Sequence, residues 1–170
     1  MDEAAQAVAK ALAEAVKAES DGYSFYMMAA LSSQDDKGRQ IFEQLANEEL
    51  DHKRFLLAQH KAIRETGKID ETVKLGRRVD LSGASPIFSE HIKSRLKDAH
   101  YEMSALSIGI QLEQSAMTFY GEQAEKASDP KVKRFFEELT EWEKGHFDAL
   151  SRQQEALKDD YWYGSGFSPF

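Results

Sequence analysis

Apolar residues recur at three- and four-residue intervals along most of the chain, and no sustained apolar–polar alternation interrupts them. That spacing predicts helices rather than strands. A first helix is predicted from about Asp2 to Ser32, with Val8, Leu12, Val16, Tyr23, Tyr26 and Ala30 along one stripe. After the polar break Ser33-Gln34-Asp35-Asp36, a second carries Ile41, Phe42, Leu45, Phe55 and Leu56 to about Glu65. A third runs from about Asp98 to Ala127 through Leu106, Ile110, Leu112, Met117 and Tyr120. Ser128-Asp129-Pro130 then supplies a capping Asp followed by Pro at the first helical position, a strong start signal. The fourth helix carries Val132, Phe135, Phe136, Leu139, Trp142 and Leu150 to about Leu157.

The connection between the second and third helices, residues 66–97, holds Gly67, Gly76, Gly83 and Pro86, with a short helix possible from Pro86 to Lys97. It is far longer than an ordinary helix–helix loop. Two hairpins joined by a long crossover, an all-α four-helix bundle, is the economical architecture. The bundle is expected over residues 1–158. The segment 159–170 is read as an aromatic C-terminal tail, with Tyr161 to Phe170 broken by Gly164 and Gly166 and unlike a helix. Five aromatics in its last ten residues resist solvation, so this tail is expected to pack on the bundle or on a second subunit, with a docking peptide for another protein as the alternative.

Composition narrows the chemistry. The 170 residues include no cysteine, which excludes disulfides, thiolate metal sites and cysteine nucleophiles. A formal net charge of −8 argues against nucleic-acid binding. No apolar run approaches the length of a membrane span, and the start Met1-Asp2-Glu3 lacks a signal-peptide pattern. The expectation is a soluble cytoplasmic protein that engages neither nucleic acid nor membrane.

The two halves repeat. An offset of 94 residues aligns them without a gap, with 12 identities over the 38 positions from Glu19 to Leu56. Unrelated sequence of this composition would give roughly two or three. Glu19 falls on Glu113, Tyr26 on Tyr120, Asp35 on Asp129, Phe42 on Phe136, Glu49 on Glu143 and His52 on His146. Each half therefore carries a Glu on its first helix and a Glu-x-x-His on its second, 30 residues later. Residues i and i+3 share a helix face, so each Glu–His pair can aim at one point. From Glu19 to the Asp35 turn the chain climbs about 24 Å, and from Asp35 to Glu49 it returns about 21 Å. The two carboxylates thus reach nearly the same depth of the hairpin.

All six side chains lie on apolar stripes. Four carboxylates in a bundle core are very costly unless something neutralises them. Two divalent cations would balance them, and oxygen-plus-imidazole ligation suits iron or manganese, with zinc possible. A single Glu-x-x-His is a weak signal; two of them, each with its upstream Glu at one interval, are not.

With those residues in view the chain resembles the ferritin-like di-iron carboxylate proteins, and specifically the rubrerythrin-like branch. The resemblance covers about residues 5–157. It rests on Glu19-Ser-Asp-Gly-Tyr-Ser-Phe-Tyr26, Asn47-Glu-Glu-Leu-Asp-His52, Gln111-Leu-Glu-Gln-Ser-Ala-Met-Thr-Phe-Tyr120 and Glu141-Trp-Glu-Lys-Gly-His146. It implies a ferritin-like fold and Glu19, Glu49, His52, Glu113, Glu143 and His146 as ligands of two oxygen-bridged iron ions, ahead of manganese or zinc. Glu49 and Glu143 would bridge, and Glu19 and Glu113 would be terminal. It also matches Tyr26 and Tyr120 to tyrosines that hydrogen-bond the ligating carboxylates. The implied activity is reduction of hydrogen peroxide or oxidation of ferrous iron, with peroxide or dioxygen as oxidant. The alternative is non-catalytic binding or storage of iron or another divalent metal. A homodimer is expected by the same resemblance.

Two departures stand out. Peroxidase members usually carry a further Glu three residues past the third-helix ligand, where this chain has Ala116. They also usually carry a rubredoxin domain, which needs cysteines, so a separate electron donor is expected. Gly22 and Ala116, at equivalent positions, are small enough either to leave an open face for oxidant or simply to let the helices approach closely. His60, His91 and His100 lack a Glu three residues before them and are expected to be bystanders.

Overall fold

The computed structural model describes residues 2–76 and 100–164, with side chains from 2 to 76 and from 101 to 158. Four helices account for nearly all of this: α1 (Glu3–Ser32), α2 (Asp36–Thr66), α3 (His100–Lys126) and α4 (Pro130–Gly164). They form a ferritin-like four-helix bundle in which α1 pairs with α2, α3 with α4, and α1 also packs on α3. No helix among the described residues is long and apolar enough to cross a membrane.

The helix ends follow from local chemistry. Asp2 caps α1 by accepting from the Ala5 N–H at 2.8 Å. Asp35 caps α2 by accepting from Gly38 N–H at 2.9 Å, and Asp129 accepts from Lys131 N–H at 2.8 Å at the start of α4. Gly67 ends α2 at φ 73°, a left-handed conformation that favours glycine, with its N–H returned to the Ile63 carbonyl at 2.8 Å. Asp35→Ala should lower stability by about 1 kcal/mol. Equilibrium urea unfolding against the parent chain measures it, and an unchanged midpoint would show the cap to be dispensable.

The start of the crossover is stitched to the bundle. Gln59 on α2 donates to the Asp70 carbonyl at 2.8 Å and accepts from the Asp70 N–H at 2.9 Å. Glu71 pairs with Lys131 and, at 3.0 Å, with Arg134 on α4. The short helix considered from Pro86 to Lys97 lies outside the described residues, as do His91 and residues 165–170.

One boundary differs from the sequence reading. Helix α4 does not stop near Leu157; it continues through Tyr161-Trp162-Tyr163 to Gly164. Nothing between Leu157 and Gly164 breaks a helix, because aromatic residues cost it little and the first strong breaker is Gly164 itself.

The core is divided. One apolar cluster gathers Tyr26, Ala30, Phe42, Leu45, Leu106 and Leu150. A second gathers Leu12, Leu56, Tyr120, Phe135, Phe136 and Leu139. Tyr26 stacks on Phe42 in one, with centroids 6.4 Å apart, and Tyr120 stacks on Phe136 in the other at 6.3 Å. These are the same pair under the 94-residue offset. Between the two apolar clusters lies a layer of charge.

Candidate metal centre

Glu19, Glu49, His52, Glu113, Glu143 and His146 converge in that middle layer, and none is more than 4% exposed. Helices α1 and α3 contribute one Glu each, and α2 and α4 one Glu and one His each. The two imidazoles lie nearly parallel, 5.6 Å between centroids and 11° between planes. Each presents Nδ1 to the carboxylates.

Two of the carboxylates span the pair. Glu143 places Oε1 3.2 Å from Nδ1 of His52 and Oε2 3.5 Å from Nδ1 of His146. Glu49 places Oε2 4.0 Å from the first and Oε1 3.5 Å from the second. The other two serve one side each: Glu19 Oε2 is 3.4 Å from Nδ1 of His52, and Glu113 Oε2 is 3.6 Å from Nδ1 of His146. The result is two overlapping groups, Glu19–Glu49–His52 and Glu49–Glu113–Glu143–His146. Within each, the candidate donor atoms lie within 4.8 Å of one another.

The close approaches are not aligned as hydrogen bonds. Both oxygens of Glu143, both nitrogens of His52 and Nδ1 of His146 are buried with no hydrogen-bond partner. Unsatisfied buried polar atoms are expensive. Except for Nε2 of His52, which lies on the far side of its ring, these atoms face one another inside a four-carboxylate, two-imidazole shell, a donor set that fits divalent first-row ions. The site's residues therefore fit a pair of cations, whose charge would match that of the four carboxylates.

The same groups perturb one another's protonation. Burial pulls both imidazoles toward the neutral form, yet the surrounding carboxylates outweigh it and hold His52 and His146 well above the ordinary histidine range. Burial and neighbouring carboxylates push Glu49 up, and burial pushes Glu113 up to about 7. Glu143 is also buried, but the two imidazoles beside it win and draw its pKa below the usual carboxylate range.

Each tyrosine crosses to the opposite hairpin. Tyr26 on α1 donates its hydroxyl to Oε1 of Glu113 on α3, and Tyr120 on α3 donates to Oε1 of Glu19 on α1. Burial, reinforced by the carboxylate charge, raises both phenols well above their usual range, so they stay protonated as donors. Gly109, one turn before Glu113, makes room for this. A Cβ there would stand 3.1 Å from the Tyr26 hydroxyl and 3.1 Å from Leu150. A Cβ at Gly22 would likewise stand 3.3 Å from Oε2 of Glu49.

A cleft of about 370 Å³ between α1 and α3 reaches this layer. Gly22, Ala116, Leu112 and Phe119 line it, and Glu19 and Glu113 are among the groups at its wall.

The sequence model of the family described as Rubrerythrin matches residues 10–154. The chain belongs to the rubrerythrin family. The matched segment takes in all six clustered side chains, both tyrosines and the whole of the central layer. Rubrerythrins typically bind a di-iron site, and this buried Glu/His cluster could hold metal. Comparisons with curated proteins and with solved structures returned no match.

All six acidic and imidazole residues singled out in the sequence meet in one place, and His60 joins neither group. The side chain of His100 is outside the described residues. Two further residues contribute. Gly109 carries no signal without knowledge of what faces it. Glu48 carries one, because the repeat sets it opposite Trp142; in the structure it is buried, with Oε2 2.9 Å from Nε2 of His146.

Proposed function

We propose that this rubrerythrin-family protein is a di-iron oxidoreductase that reduces hydrogen peroxide or oxidises ferrous iron at the central layer. The observation that carries the reading is the span of Glu49 and Glu143, each with one oxygen toward either imidazole. In this reading Glu19 and His52 complete one metal position, and Glu113 and His146 the other. When bound, two ferrous ions supply two electrons, which with two protons convert one hydrogen peroxide to two waters, and a separate donor must return those electrons.

The chain's own groups do the rest. The apolar clusters on either side keep bulk water from the layer. The tyrosine hydroxyls hold Glu113 and Glu19 in place without adding charge. The cleft at Gly22 and Ala116 admits a small oxidant to the carboxylates; no side chain at 116 carries the further Glu seen in peroxidase members. Zinc would fit the donors but carries no redox chemistry.

The test is anaerobic loading with Fe(II) followed by peroxide. A near-ultraviolet absorbance rise from ferric product, repeated over many cycles with an added reductant, supports an enzyme. One stoichiometric oxidation and no further turnover would make it a binding or storage protein, and no absorbance change would refute redox chemistry altogether. Ala116→Leu should narrow the cleft and slow the oxidation several-fold while iron content stays the same. An unaltered rate in that variant would remove the cleft as the oxidant's route.

A further inference from the structure

The two hairpins agree at every residue of the central layer and disagree immediately behind it. Glu48 in the first hairpin stands where Trp142 stands in the second. Each lies one residue before the Glu and four before the His of its own motif, on the side facing the other hairpin. The cross-hairpin contacts are correspondingly unlike. Oε2 of Glu48 is 2.9 Å from Nε2 of His146, both groups buried. The ring of Trp142 instead meets His52 edge-on, with centroids 5.3 Å apart at 82°, and Nε2 of His52 has no hydrogen-bond partner among the described residues.

An imidazole that donates Nε2–H to a carboxylate has its other nitrogen fixed as a lone-pair donor, its ring orientation set and its basicity raised. His146 has that support and His52 does not. We infer that Glu48 is a positioning residue that makes the two metal positions unequal, the one served by His146 binding first and more tightly. The inference rests on the two-metal reading above. Outer partners of this kind change metal affinity about 10–100-fold, which sets the expected separation of the two steps.

Titration of the full chain with Co(II) alone tests it. Two binding steps separated by about one to two orders of magnitude are expected. The first equivalent should bring out one paramagnetically displaced, exchangeable imidazole N–H resonance, lost in His146→Gln and kept in His52→Gln. Glu48→Gln preserves shape, and whichever way its amide turns it removes the carboxylate's charge. It should weaken the tight step by about tenfold or more and leave the weak step in place. Trp142→Glu supplies the missing carboxylate behind His52 and should tighten the weak step; it carries the test by itself if Glu48→Gln does not fold. Two indistinguishable steps in the parent chain would overturn the inference. So would a Glu48→Gln titration in which neither step moves or both move together, or a Trp142→Glu that leaves the weak step unmoved. Absence of any Co(II) binding would instead overturn the two-metal reading beneath it.

Discussion

Glu143→Ala should abolish metal binding at both positions, while Glu19→Ala should cost only one. Glu143 is buried among α2, α3 and α4 with an oxygen 3.2 Å from one imidazole and 3.5 Å from the other. Its truncation deletes one donor and a share of the neutralising charge from each position. Glu19 approaches only His52, so its loss leaves Glu49, Glu113, Glu143 and His146 intact as a four-residue group. After anaerobic loading and desalting, metal analysis should find about two ions per parent chain, close to none in Glu143→Ala and about one in Glu19→Ala. Helical circular dichroism of the metal-free variants separates lost ligands from a lost fold. Two ions retained in a folded Glu143→Ala would mean that this carboxylate spans nothing.

The helices were legible because their causes are local. Three- and four-residue apolar spacing, the polar break at Ser33–Asp36 and the Asp129-Pro130 start are properties of short stretches, and the observed ends at Ser32, Thr66 and Lys126 follow them closely. The level of the site was legible for a related reason. Glu19 and Glu49 stand at similar distances from one turn, and helical rise is constant, so both reach Nδ1 of His52. The aromatic cluster from Tyr161 suggests a break, yet α4 runs through it to Gly164, because aromatic residues cost a helix little. What spacing within a hairpin does not encode is how two hairpins dock. Tyr26 meets Glu113 across 87 residues, and Glu48 meets His146 across 98. The repeat marks what the halves share, and Glu48 and Trp142 lie where they differ.

The metal-free protein should lose stability as pH rises from about 5 to 9, and the metal-loaded protein should not. Glu113 releases its proton at about 7 in the fold rather than at its ordinary value of 4.5. A group raised in this way contributes its full stabilisation below the lower value and loses it as pH passes the higher one, here on the order of 3 kcal/mol. Glu49 is raised by burial and the Glu19 charge, and it acts in the same direction. His52 and His146, held above the ordinary value of 6.5 by their carboxylates, extend the loss to higher pH. Within the cluster Glu143 is lowered instead, and its contribution disappears only as pH falls below the ordinary carboxylate range, outside this window. Cations reverse the trend because they take the place of the protons on these same groups, so their binding strengthens as pH rises. Metal at a thousandfold excess over its dissociation constant adds about 4 kcal/mol. Thermal melts of chelator-treated and Fe(II)-loaded protein under nitrogen should therefore diverge, with the gap between their midpoints widening steadily across the range. A metal-free midpoint that climbs with pH would show that the buried carboxylates are not protonated in the fold. A gap that stays constant would show that bound ions and protons do not compete for the central layer.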